Sequence, residues 1–150
     1  GLVIIWPSDK LQIKKSLENK ATIIESATIE QVKKFYEILK DLYKRKVKKP
    51  LPDWVFFEEF FNQPELGRFF LIEYSGEIVG GIMCPIYDNK IIYEWYIAGE
   101  DGPHKGIYPS VLATWAPIDY AVNYGRFTRI NNRLLYFIGK TGMALLKKFK

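Results

Sequence analysis

The sequence predicts one α/β domain of the α+β kind: a mixed, mostly antiparallel sheet flanked by helices. Two amphipathic helical stretches precede three apolar strand-like runs, 68–74, 77–87 and 90–98. Those runs are joined by the turn dipeptides Ser75-Gly76 and Asp88-Asn89, connections so short that they force antiparallel pairing. A further helical stretch starts at Tyr108-Pro109-Ser110, where proline suits a first turn. With 150 residues the chain fits one domain. A chain of that size buries about 68–70% of its unfolded surface, enough for an ordinary core.

Taken in order, Gly1-Leu2-Val3-Ile4-Ile5-Trp6 is apolar but short, lacks a basic leading segment and meets Pro7 at once. It reads as a strand and not as a signal peptide. A chain that opens on such a strand is expected to lack an upstream part, and residues 1–20 read as a junction to it, with the domain over 21–150. Ser8 to Asn19 predicts a short basic helix, with Ser8 as N-cap and Leu11, Ile13 and Leu17 as its apolar members. Ala21 to Ser26 is β-branched and predicts a strand. Thr28 followed three residues later by Gln31 has capping-box spacing, and Val32, Phe35, Tyr36, Leu39 and Tyr43 then keep the period of one buried helix face. The basic run 44–49 meets Pro50-Leu51-Pro52, which ends that helix in an extended cationic connection. This connection is either a solvated linker or a contact for a phosphorylated or tRNA-like substrate. Asp53 caps a second, aromatic helix through Phe61. After the three strands and a polar loop over 99–106 comes the helix from Tyr108, in which Pro117 predicts a kink. Residues 125–130 predict a short strand, and Asn131 caps a last helix to Lys150. The apolar tail with basic ends packs on the domain or attaches to an anionic membrane surface.

Composition narrows the chemistry. Aromatic residues make up 16% of the chain, more ring surface than a small core needs, so some rings are expected to line a groove. A net charge of +5 favours phosphate-bearing or otherwise anionic partners. The single cysteine, Cys84, rules out an intramolecular disulfide framework and suits the reducing cytoplasm. It lies in the apolar run Gly80-Gly81-Ile82-Met83-Cys84 and reads as a buried structural thiol. With one histidine, His104, neither a zinc site nor a Ser/His/Asp triad assembles readily, so no metal is expected. No stretch approaches the ~18 apolar residues of a membrane span, which leaves the cytoplasm, or the inner face of the membrane, as the expected location.

Three words of sequence carry a family resemblance. Gly76-Glu77-Ile78-Val79-Gly80-Gly81, the strand Ile92-Tyr93-Glu94-Trp95-Tyr96-Ile97-Ala98, and Tyr108-Pro109-Ser110 followed by Leu112, Trp115, Ile118, Asp119 and Tyr120 resemble the FemAB-like branch of the GNAT acyltransferase superfamily. The likeness covers about residues 20–123, and again Gly139-Lys140 with Leu145-Leu146-Lys147-Lys148. It implies a GNAT-like sheet and transfer of an aminoacyl group from aminoacyl-tRNA to an amine of a peptidoglycan or cell-envelope precursor, small or lipid-linked. GNAT enzymes that use acetyl-CoA carry a Gln/Arg-x-x-Gly-x-Gly/Ala loop whose N–H groups hold the pyrophosphate at a helix N-terminus. Here residues 100–106, Glu-Asp-Gly-Pro-His-Lys-Gly, stand in that place and do not match. Acyl-CoA is therefore the second reading of the co-substrate, and a non-catalytic binding module on the same fold is the third. The branch's Asp-Phe-x-Gly strand and Phe-Lys…Phe-Gly segment are missing between Asn123 and Tyr124, where residues are expected to have been omitted.

Amide formation from an activated acyl donor needs a neutral amine, a proton acceptor and a donor for the developing oxyanion. Glu94, mid-strand among rings, is the candidate base, since burial would raise its pKa; the alternative is a carboxylate on an exposed face or one satisfied by a neighbour. Tyr108 at the helix entrance is the second catalytic candidate, or a packing aromatic. For substrate, Arg68, Trp95 and Tyr96 shape a groove or belong to the core. His104 and Lys105 meet a phosphate or stay solvated, and Lys44, Arg45 and Lys46 supply the cationic contact.

Overall fold

The computed structural model describes residues 7–124 and 129–130. The expected opening strand, the start of the short strand at 125–128, and the last helix with its basic tail lie outside the described residues. In chain order the elements are α1 (Pro7–Glu18), β1 (Thr22–Ile24), α2 (Ile29–Leu42), α3 (Trp54–Phe61), β2 (Gly67–Tyr74), β3 (Glu77–Tyr87), β4 (Ile91–Ile92), β5 (Tyr96–Gly99), α4 (Pro109–Tyr124) and β6 (Arg129–Ile130). The strands form one sheet in the order β1-β2-β3-β4-β6, with β5 also paired to β3. All pairs are antiparallel except β4 with β6, which is parallel.

Local chemistry accounts for most of these boundaries. Thr28 Oγ1 accepts the Gln31 N–H at 3.2 Å while Gln31 Oε1 accepts the Thr28 N–H at 2.9 Å, the reciprocal capping box that the spacing predicts. The turn residues Ser75 and Gly76 (φ 54° and 81°), like Asp88 and Asn89 (52° and 53°), sit in the left-handed region. Their twist matches that of antiparallel strands.

The end of α2 differs from the expected extended connection. Tyr43–Val47 continues the rod as a π-helical turn, closed by the Lys48 N–H donating to the Tyr43 carbonyl at 2.7 Å with Lys48 left-handed at φ 55°. The break comes at Pro50 only after this wider turn is complete.

Alternation along the strands divides the core into two layers. Phe70, Ile72, Ile82 and Cys84 face α1 and α4, whose Ile13, Leu112 and Ala116 meet them. Phe69, Leu71 and Met83 face α2 and α3, where Phe35, Leu39 and Phe57 fill the space. Burying each of the fully enclosed Phe35, Phe57 and Phe70 contributes about 1.5–3 kcal/mol. Close approach of α4 to the sheet depends on small residues. A Cβ on Gly99 would lie 2.4 Å from the Ser110 nitrogen, and one on Gly80 would lie 3.0 Å from Pro109 Cβ.

The third predicted strand, 90–98, is broken. β4 holds the register Ile86↔Ile92, whereas β5 holds Met83↔Tyr96, a shift of one residue. Trp95 and Tyr96 therefore both stand opposite Met83, which is a β-bulge. Tyr93 donates its N–H to the Pro85 carbonyl at 2.8 Å, but Pro85 has no N–H to return, so the ladder is weakest next to the extra residue.

Candidate active site

The bulge sorts the side chains around it. Trp95 and Tyr96 turn to the α3 face, where both rings meet Phe56, at centroid distances of 6.4 Å and 6.3 Å. Glu94 stands opposite Cys84 and is 3% exposed. Burial, and then the charge of Glu94, push the Cys84 thiol well above its usual range, which fits two side chains sharing the α4 face of the sheet. Glu94 is thus a buried carboxylate and not one on an exposed strand face.

The same bulge opens a fork. β4 carries β6 on its outer side, whereas β5 pairs only with β3 among the described residues. The Glu100 N–H donates to the Val79 carbonyl at 2.8 Å, which makes Gly80↔Gly99 a non-hydrogen-bonded pair. By the antiparallel alternation, the N–H and C=O of Ile97 and Gly99 then point away from β3. They border a cleft of about 770 Å³ between the end of α2, the outer edge of β5 and the start of α4.

Charged groups of both signs line this cleft. Lys34, Arg45 and Lys46 come from α2 and its π-helical turn, and His104 comes from the loop before α4. Arg45 is paired with Asp41 at 2.8 Å. The His104 ring rests on Tyr74 at 5.2 Å between centroids. The loop itself is tied at both ends. Asp101 accepts the Ser110 N–H at 3.0 Å and the Ser110 hydroxyl at the N-terminus of α4. On the far side, Ser16 of α1 accepts the Tyr108 N–H at 2.9 Å, and Asn19 Nδ2 donates to the Gly106 carbonyl at 3.1 Å.

Of the residues singled out from sequence, Arg45, Lys46 and His104 meet in the cleft. Lys44 and Lys105 are exposed and do not line it. Tyr108, half-buried at the entrance to α4, and the buried Glu94 are not among the residues that line it. Trp95 is 43% exposed, and Tyr96 packs between Tyr43, Phe56 and Phe57. Arg68 is elsewhere: its Nε donates to the Tyr120 hydroxyl at 2.9 Å, and it borders a separate hollow of about 300 Å³ with Glu25 and Phe61. Asp101 escaped the sequence reading because its contact closes across nine residues, outside the spacing of any local cap. Among the described residues no group of three or more His, Cys, Asp and Glu converges as a metal site. No helix among them is long and apolar enough to cross a membrane.

This mixed α/β sheet with helices on both faces matches the fold of GNAT acetyltransferases. It is similar to an aminoglycoside acetyltransferase from an uncultured soil metagenomic sample, solved with sisomicin, at TM-score 0.61 and 16% identity over 84% of this chain and 90% of that one. A GNAT-family acetyltransferase from Staphylococcus aureus matches at TM-score 0.55 and 14% identity, over 81% and 82% of the two chains. N-acetylglutamate synthase from Neisseria gonorrhoeae, solved with coenzyme A and N-acetylglutamate, matches at TM-score 0.55 and 12% identity, over 80% of this chain and 27% of its own. At these identities the likeness is one of fold. No protein-family model matches the chain, and no curated protein sequence does.

Proposed function

We propose that this protein is an N-acyltransferase that holds an activated acyl donor along the open edge of β5 and delivers the acyl group to an amine beside Glu94. The observation that carries the reading is the fork: a strand edge that faces a cleft and is unpaired among the described residues, with a buried carboxylate at the point where the strands part. A donor arm bearing amides can add to that edge as a further strand would, bonding to the outward backbone of Ile97 and Gly99. Glu94 takes one proton from the acceptor nitrogen as its lone pair attacks the acyl carbonyl. The C–N bond forms, the C–S or C–O bond to the donor breaks, and the leaving atom receives a proton. Tyr108, at the entrance to α4, is the candidate source of that proton.

Two donors have support. Acyl-CoA is supported by the fold neighbours, one of which was solved with coenzyme A. Aminoacyl-tRNA, with an amine of a peptidoglycan or cell-envelope precursor as acceptor, is supported only by the resemblance around Tyr108-Pro109-Ser110. An aminoglycoside amine is the acceptor suggested by the metagenomic neighbour.

The test supplies purified protein with acetyl-CoA or charged tRNA, and with muropeptide or sisomicin, and reads amide product by mass spectrometry. Glu94→Gln is expected to lower turnover by about 10²–10⁴-fold with little change in KM, the usual contribution of a positioned base. Absence of product from every donor and acceptor pair, in protein that is folded by circular dichroism, removes the transferase reading.

A further inference from the structure

We propose that Asp101 is a donor-selecting residue: its carboxylate occupies the α4 N-terminus, so the cleft favours a donor arm that brings no phosphate to that point. The inference rests on the cleft being the donor site, and it concerns which donors the site accepts.

A helix N-terminus attracts phosphate because its first N–H groups lack partners inside the helix and carry partial positive charge. In this chain two of those groups are committed and a third is absent. Pro109 has no N–H, the Ser110 N–H goes to Asp101, and the Tyr108 N–H goes to the hydroxyl of the fully buried Ser16. Asp101 also takes the Ser110 hydroxyl, so one side chain supplies an anion of its own where an outside anion would sit. The remainder of the cleft points the same way. Five carboxylates line it against three permanent cations; with Asp41 paired to Arg45 and Glu37 to Lys40, the balance falls to Glu77, Glu100 and Asp101 against Lys34 and Lys46. Incoming phosphate therefore meets repulsion as well as occupied donors. Gly99 lies against the Ser110 backbone, so α4 has no room to slide toward the sheet and free its N-terminus.

The experiment compares coenzyme A with pantetheine, which has the same amide arm and no phosphate, by calorimetry on the wild-type chain, Asp101→Asn and Asp101→Gly. Asparagine keeps a side-chain oxygen for the Ser110 N–H and removes only the charge, so the fold is retained; glycine removes both. The expected result is that wild-type binds pantetheine at least as tightly as coenzyme A. Asp101→Asn then tightens coenzyme A at least about tenfold, and Asp101→Gly more, while pantetheine changes by less than about twofold. Coenzyme A binding that is unchanged by either substitution, with pantetheine still bound, overturns the role of Asp101 and leaves the donor cleft standing. Coenzyme A binding weakened by Asp101→Asn overturns it too. Failure of all three proteins to bind either ligand removes the donor cleft and this proposal together.

Discussion

Gly99→Ala is the substitution through which the packing of the fork can be measured. The added Cβ would lie 2.4 Å from the Ser110 nitrogen, 2.9 Å from its Cα and 3.0 Å from the Pro109 carbonyl carbon. All three are backbone atoms and none can rotate aside. Ordinary contact begins at 3.4 Å, so β5 and the start of α4 must part by about 1 Å. Overpacking of that size costs about 1–3 kcal/mol. The φ of Gly99 lies outside the left-handed region, so steric pressure alone accounts for the loss. The same movement stretches the Asp101 to Ser110 bonds and widens the cleft beside Ile97. Urea denaturation reads the stability, and pantetheine calorimetry reads the cleft. Gly76→Ala is the control: its φ of +81° gives a backbone cost of about 1–2 kcal/mol, but no atom lies within 4 Å of the new Cβ, so no element has to part to admit it. Similar stability losses with weaker pantetheine binding in Gly99→Ala alone are expected. Stability of Gly99→Ala within about 0.5 kcal/mol of wild-type would refute the reasoning, because ordinary surface changes fall in that range.

Two further outcomes follow from local chemistry. Thr28→Ala removes the oxygen that accepts the Gln31 N–H and is expected to cost about 1 kcal/mol, read from the urea midpoint at unchanged slope. Burial raises the Asp119 carboxyl above its ordinary value of 3.8, a bond from Asn123 partly opposing this. A raised carboxyl makes the folded state bind more protons than the unfolded one, so its contribution to stability falls as pH climbs from 3.8 through the folded-state pKa. Asp119→Asn should therefore melt higher than wild-type at neutral pH, and the difference should close as pH drops toward 3.8; a pH-independent difference would contradict the assignment.

Elements set by local rules were legible in the sequence. The Thr28/Gln31 capping box and the two hairpin dipeptides declare themselves in adjacent residues, and the period of α2 names its buried face. The fork was not legible. A bulge is one extra residue in a ladder, and an apolar run such as 90–98 has no alternation from which a slip of register could be read. One signal was present: Pro85 in the partner strand, unable to return a hydrogen bond. Glu94 stands out in the sequence as a carboxylate among rings, yet its burial depends on which face the bulge assigns it. Arg68, for which the sequence left groove and core both open, borders a hollow apart from the cleft; its partner, Tyr120, is fifty-two residues away, and no short-range pattern links them.

The stitches from α1 to the loop before α4 have a consequence for synthesis. Ser16 meets Tyr108 across 92 residues, and Asn19 meets Gly106 across 87. At roughly 5–20 residues per second, α1 leaves the ribosome some seconds before its partners exist. During that interval the Ser16 hydroxyl holds only its own helix, through the Gln12 carbonyl at 2.8 Å. The wall of the cleft can thus set only after α4 has emerged, which makes α1, made well before its partners, among the last elements to find its place.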